Sequence, residues 1–328
     1  MLFGVIETYD ADTIAEATLR YAVDPIAESM PTKECIVRID NSSQRFNLIN
    51  PEGIFMYLQQ PQAFYVSVGI GETRDEMEYV PMGEFFFATA SAEDASLTAE
   101  ITAYDWFYWL DKGTFHNATG GTWSLRSALT AILADAGIDA ELVIDPDAAA
   151  TLIQKTADDM THREAIRQAV QAACCTAFFD RDNRLVVKDL AIGTAVDVLD
   201  ADNMLQPPKV TIESAVNTVQ LTTHNSTGSD VVYTASRVEP GELPQVKTVT
   251  NYMVTPENGQ KVADWLLARC RGRLTYSMQE RGNPETILGD TVEVRDYFNV
   301  NRKTVVTKQD FRYDGGIKED SEAVIIGN

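Results

Sequence analysis

From Leu97 to Tyr104, apolar residues (Leu97, Ala99, Ile101, Ala103) alternate with polar or amphipathic ones (Thr98, Glu100, Thr102, Tyr104). A period of two predicts a strand with one dry and one wet face. Tyr79 to Thr89, rich in aromatic and β-branched residues, predicts a second strand, and the small acidic link Ser91 to Ala95 predicts the turn between them. Met1 to Ile6 reads as a short first strand.

After the polar, Gly-rich stretch Asp111 to Thr122 the period changes. Leu125, Ala128, Leu129, Ile132, Leu133 and Ala136 share one helical face, with Thr122 or Ser124 as N-cap and Gly137 as the left-handed stop. A short strand, Glu141 to Ile144, ends at Asp145-Pro146-Asp147. Thr161-His162-Arg163-Glu164 fits a capping box opening a second helix, with Ile166, Ala169, Val170 and Ala173 facing inward. Thr176 to Phe179 and Leu185 to Leu190 then predict a hairpin around Asp180-Arg181-Asp182-Asn183.

From Val210 onward strands return. Asn217 to Thr222 and Val231 to Ser236 flank a turn at Asn225 to Gly228. A third helix follows over Pro256 to Arg271, with Thr255 as cap, Pro256 in the first turn, Val262, Ala263, Leu266, Leu267 and Cys270 on its apolar face, and Gly272 as stop. Leu274 to Glu280, Gly289 to Val294, Lys303 to Asp310 and Glu322 to Ile326 complete the β pattern, with a turn at Tyr313-Asp314-Gly315-Gly316. The fold class predicted is α+β, mainly β.

Composition narrows the function classes. A chain of 328 residues has room for two or three domains, and 45% hydrophobic content suits packed cores. No apolar run approaches the roughly 20 residues of a membrane span, and Met1 to Ile6 lacks the features of a signal peptide. With 49 acids against 27 bases, the formal charge is −22. Such a surface does not grip phosphate backbones, so no stable nucleic-acid binding is expected. Cys35, Cys174, Cys175 and Cys270 lack zinc-site spacing and are expected as buried thiols made in a reducing cytoplasm.

Catalytic chemistry has little to stand on. The three histidines, His116, His162 and His224, are not in a nucleophile motif and form no H-E-x-x-H pair, so each is expected at the solvated surface. The Asp180 to Asn183 run lacks the glycine and glutamate of a calcium loop, since those places hold Leu185 and Ala191. No catalytic, cofactor-binding or metal-ligating residue is assigned. A hydrolase working through carboxylates alone is left open by the many acids.

Several stretches resemble the baseplate hub, or tail-tip hub, proteins of tailed phages and prophages. They include Ala22-Val23-Asp24-Pro25, Met30 to Asn41, Phe46 to Gly53, the hairpin "VPMGEFFF" to "TAYDWFYWL", the middle "FFDRDNRLVVKDL", and the late "LGDTVEV" and "VVTKQDFRYDGG". Where that family usually has a glycine in the middle turn, this chain has Asn183-Arg184. Because the matching stretches reach the start, middle and end, no room is expected for an appended enzyme or fibre.

The resemblance implies two tail-tube-like β-barrel domains and an intermediate α+β domain. The first barrel would span residues 1–110. The intermediate domain would take 111–205 with 241–285, and a split second barrel 206–240 with 286–328. The helix Pro256 to Arg271 would pack with the helices at Ser124 and Thr161. The implied role is a structural hub without enzymatic activity. As a homotrimer in the virion tail tip, it would join a sixfold tail tube to a threefold spike or fibre and form part of the channel for DNA. Implied partners are the tail tube or distal tail protein, the central spike or fibre, and the tape-measure protein; the acidic residues would line the channel. The alternative is a tail-associated cell-wall hydrolase or carbohydrate-binding module, for which Trp106, Phe107, Tyr108 and Trp109 could supply ring faces.

Overall fold

The computed structural model describes residues 7–326 except 55–60, 72–75, 93–96, 117–119, 156–158, 213–215, 226–227, 272–273, 296–297 and 299. The expected strand Met1 to Ile6, most of the turn after Ser91 and the stop at Gly272 lie outside the described residues.

The chain begins with β1 (Ile14–Ala22), β2 (Glu34–Asp40), β3 (Ala63–Ile70), β4 (Glu78–Ser91) and β5 (Thr98–Tyr104). A mixed stretch follows: α1 (Trp106–Leu110), β6 (Thr114–Phe115), β7 (Thr122–Ser124), α2 (Leu125–Asp135), β8 (Leu142–Ile144), α3 (Pro146–Ala150), β9 (Leu152–Gln154) and β10 (Met160–Thr161). Next come α4 (His162–Ala172), β11 (Thr176–Phe179), β12 (Leu185–Lys188), β13 (Asp197–Leu199), β14 (Lys209–Ile212), β15 (Thr218–His224), β16 (Asp230–Ser236) and β17 (Val246–Thr250). The chain closes with α5 (Gly259–Cys270), β18 (Leu274–Glu280), β19 (Thr291–Arg295), β20 (Asn301–Tyr313) and β21 (Ile317–Val324). The fold class is α+β, mainly β, as the pattern predicts.

One 11-stranded sheet joins the two ends of the chain in the order β14-β18-β21-β20-β1-β2-β5-β4-β3, with β19 on β20 and β13 on β19. The long strand β20 makes this possible. Its first half, Asn301 to Val305, pairs with β19, while Lys308 to Tyr313 pairs with β1. A shared core, including Leu19, Tyr21, Phe85, Val292, Val305 and Phe311, lies beneath both parts.

The β4–β5 hairpin forms with a bulge between Phe87 and Thr89. Ala99, Ile101 and Ala103 are buried as the alternation predicts, whereas Leu97 precedes the strand and is exposed.

A second core joins α2, α4, α5, the β11–β12 hairpin and the sheet β16-β15-β17. Helix α2 starts where Ser124 Oγ accepts from the Ser127 N–H, and Gly137 takes a φ of 71° after its end. Helix α4 keeps half of the expected capping box. Thr161 Oγ1 accepts from the Glu164 N–H at 3.1 Å, but the Glu164 carboxylate turns to Arg167 and Gln168. Asn183 supplies the left-handed position of the β11–β12 turn with φ 60°, the conformation that a glycine otherwise takes.

Three expected placements differ. Strands β15 and β16, expected within the 206–240 segment of the second barrel, pair with β17 outside the large sheet. The reason is their apolar face, Val219, Leu221 and Ala235, which joins the core of Val262 and Leu266 from α5. Strand β18, expected with the 241–285 segment, lies between β14 and β21 in the large sheet. Helix α5 begins at Gly259, with Asn258 rather than Thr255 at the cap position and no side-chain cap. It shares the core of α2 and α4, but its direct neighbours are β15 and β16.

Candidate functional site

The segment between β1 and β2 leaves the large sheet, drops Ala27 and Met30 into the helical core, and returns. Its backbone is held by α4. Arg163 Nε donates to the Met30 carbonyl at 2.8 Å and Arg167 Nη1 to that of Ala27 at 3.2 Å. Gln171 Nε2 donates to the carbonyls of Ile26 and Ala27, at 2.9 and 3.2 Å. Within the loop, Asp24 accepts the N–H groups of Ile26 and Ser29. The stretch Ala22 to Thr32 is therefore the staple between sheet and helices, which gives its wording a physical reason.

A second crossing point is the turn after β11. Arg181 donates to the carbonyls of Pro284 and Thr286, the latter at 3.0 Å, with its guanidinium over the Phe311 ring. Lys33, only 2% exposed, donates from Nζ to the Asp180 carbonyl at 2.7 Å and lies over Phe85. Burial lowers the Lys33 pKa, and the charges of Asp105 and Asp180 oppose that shift. Asp105, fully buried, caps α1 through the Phe107 N–H, while its Oδ2 has no hydrogen-bond partner among the described residues. Burial pushes this carboxyl up to about 6, against the pull of Lys33. A half-open cavity of about 240 Å³ adjoins the turn, lined by Tyr21, Phe178, Asp180, Arg181, Leu288 and Gln309 among others.

This junction has the features of an architectural joint. Both guanidinium contacts and the ammonium contact end on backbone carbonyls, which fixes elements without preparing a nucleophile or base. Asp180 Oδ1 accepts the N–H groups of Asp182 and Arg184, and Oδ2 accepts from Arg184 Nε at 2.8 Å. Its carboxylate is thus used by the turn itself. Among the described residues no group of three or more His, Cys, Asp or Glu is arranged to hold a metal ion.

The histidines lie apart. His116 is exposed beside Asp159 at 2.8 Å, and His224 stacks on Tyr252 next to Asp230. His162 corrects the surface expectation: it is 5% exposed, with Nε2 2.9 Å from Asp135 Oδ2. Pairing of β10 with β6 brings Gly113 against the ring, where a Cβ would come within 2.8 Å of Cε1. Cys35, Cys174 and Cys175 are buried and Cys270 is partly so; all four are free. Burial pushes their thiols up to between about 11 and about 12, which keeps them protonated and poorly nucleophilic.

The aromatic run packs inward. Phe107 meets Phe179 edge-on at 4.8 Å, Trp106 lies 3.7 Å from Phe86, and Tyr108 stacks on Tyr104 at 4.5 Å. Trp106 and Trp109 bury their indole nitrogens. Lys33, Asp105 and Arg181 were missed as a group by sequence reading. Of the three, Asp105 alone carried a local signal, a capping residue ahead of an aromatic helical turn.

No protein-family model matches the sequence, and no curated protein is detectably similar to it in sequence. Its fold has close counterparts. It is similar to the tail protein from Neisseria meningitidis MC58, at 12% identity and a TM-score of 0.67, over 95% of this chain and 92% of that one. It is also similar to the 43 kDa tail protein of prophage MuSo2 from Shewanella oneidensis, at 15% identity and a TM-score of 0.60, covering 94% and 92%. A third likeness is to an E. coli component of the type VI secretion system, itself described as similar to the T4 bacteriophage tail proteins gp27 and gp5. That match has 8% identity and a TM-score of 0.56, over 96% of this chain and 74% of that one. The chain shares its fold with these tail proteins over nearly its whole length. Among the described residues no helix is long and apolar enough to cross a membrane.

Proposed function

We propose that this chain is a structural hub at the tip of a phage tail or a related injection apparatus. The observation that carries this reading is the near-complete match of its fold to tail proteins. Strand β20 adds support, because it threads the first third of the chain and the last into one sheet. In this reading the two parts of that sheet are the tandem tube-like barrels. The first is near residues 1–110, and the second is built from β13, β14 and β18 to β21. The helices with β15 to β17 form the unit between them. Three copies then present six barrels to a sixfold tube and keep threefold symmetry toward a spike or fibre. Closed rings need head-to-tail contacts, and a permanent one should bury upwards of about 2,000 Å².

The hub surrounds a channel for DNA and has no catalytic activity of its own. In this reading much of the −22 charge lines the channel wall, where it must sit to act on passing DNA because repulsion at physiological salt reaches only about 8 Å. The partners are the tube or distal tail protein, the spike or fibre, and the tape-measure protein, and the working location is the virion tail tip. Reconstruction of the intact tail tip tests this. Three copies around a lumen lined by acids are expected; six copies, one barrel per chain or a basic lumen would overturn the assignment. Cell-wall cleavage by the purified chain, abolished by changing one acidic residue, would favour the hydrolase instead.

A further inference from the structure

Strands β18 and β21 run antiparallel in a register that places Glu280 directly opposite Glu319. Both are buried, at 5% and 3% exposure. Like charges directly opposite each other in a sheet repel, and in a dry seam two carboxylates resist being ionised together. Glu319 Oε1 accepts from Gln309 Nε2 at 2.8 Å, and Oε2 accepts from the Asn283 N–H at 3.1 Å. Glu280 Oε1 accepts from Ser321 Oγ.

The charged groups facing the pair come from several elements. Arg181, in the turn after β11, favours the ionised form of Glu319, while its Nη1 and Nη2 donate to the carbonyls of Pro284 and Thr286. Asp290 also acts on Arg181. Asp197 of β13 disfavours an ionised Glu280. Tyr21, whose hydroxyl donates to the Met82 carbonyl, is coupled to Glu319 across the core. Arg281 borders the cavity beside Glu280 and is exposed. No ion pair reaches either carboxylate among the described residues.

We propose that Glu280 and Glu319 share one proton near neutral pH and form a pH-sensitive clasp between β18 and β21, which loosens when that proton leaves. Burial and the charge of Glu280 push Glu319 up to about 7, and burial likewise raises Glu280. The folded chain then holds a proton that the unfolded chain has released above its ordinary 4.5. Stability from this pair is therefore present at low pH, falls as pH rises from about 4.5 to about 7, and is level beyond. The folded-to-unfolded ratio should drop on the order of 100-fold across that window. Asp105, raised to about 6, acts in the same direction, so the test must separate the two.

Urea denaturation of the full chain between about pH 5 and pH 8.5, comparing wild type with Glu319→Gln, Glu280→Gln and Asp105→Asn, makes that separation. Glu319→Gln should remove most of the clasp's decline and raise the folded-to-unfolded ratio at the alkaline end by on the order of tenfold or more. Asp105→Asn should leave that share of the slope intact. Infrared difference spectroscopy near pH 6 should show a protonated carboxyl that persists in Asp105→Asn and disappears when Glu319→Gln is added to that variant, Asp105 accounting for any band left in Glu319→Gln alone. If Glu319→Gln does not fold, the wild-type spectrum and the Glu280→Gln slope decide. Slopes of the Glu variants parallel to wild type, or no protonated carboxyl beyond that of Asp105, would overturn the clasp.

Discussion

Replacing Phe107 by alanine should loosen the aromatic helix α1, which follows β5, from the helical core. The side chain is fully buried, and its ring meets Phe179 of the β11–β12 hairpin edge-on at 4.8 Å and 63°. Truncating a buried Phe to Ala costs about 3–5 kcal/mol through lost transfer energy and a residual cavity. About 0.5–1.5 kcal/mol of that belongs to the ring pair. Phe107→Leu keeps most of the volume and loses mainly that pair, so about 1–2 kcal/mol is expected. Urea unfolding should be followed by tryptophan fluorescence, with Trp106 and Trp109 flanking the site, and by far-ultraviolet circular dichroism. The alanine variant should unfold at clearly lower urea by both probes, with the leucine variant between it and wild type. A loss below about 1 kcal/mol for Phe107→Ala would refute the seam argument, because so small a value belongs to positions that can collapse or face water.

Two further substitutions test local geometry. Gly259→Ala would place a Cβ 2.3 Å from the Tyr233 ring, whose hydroxyl is anchored on the Pro256 carbonyl at 2.9 Å. The helix-propensity gain of about 1 kcal/mol should be outweighed by overpacking of about 1–3 kcal/mol, and a more stable variant in chemical denaturation would contradict this. Asn183→Gly should be close to neutral and Asn183→Val should lose more than about 1 kcal/mol, because the turn holds φ at 60°. Equal melting temperatures for the two would show that the turn relaxes.

The hairpin β4–β5, the capped starts of α2 and α4, and the turn at Asn183 were legible because short-range pattern determines them. Alternation states which face is dry, a cap satisfies free N–H groups a few residues away, and Asn tolerates a left-handed backbone. The thiols Cys35, Cys174 and Cys175 were likewise legible as buried, since a free cysteine behaves as a small hydrophobe.

Tertiary structure decided what lies opposite each dry face. Thr218 to His224 alternates much as a barrel strand does, yet it is covered by α5 and pairs with β17. His162, in the polar first turn of α4, is buried because β6 brings Gly113 against it. Lys33 and Asp180 are 147 positions apart and meet only because β11–β12 docks on the sheet. Glu280 and Glu319 each follow an ordinary strand pattern, and only the β18–β21 register makes them neighbours. Local periodicity constrains a residue through the few positions within reach of its own backbone, whereas register and docking are fixed by the global fit of whole faces.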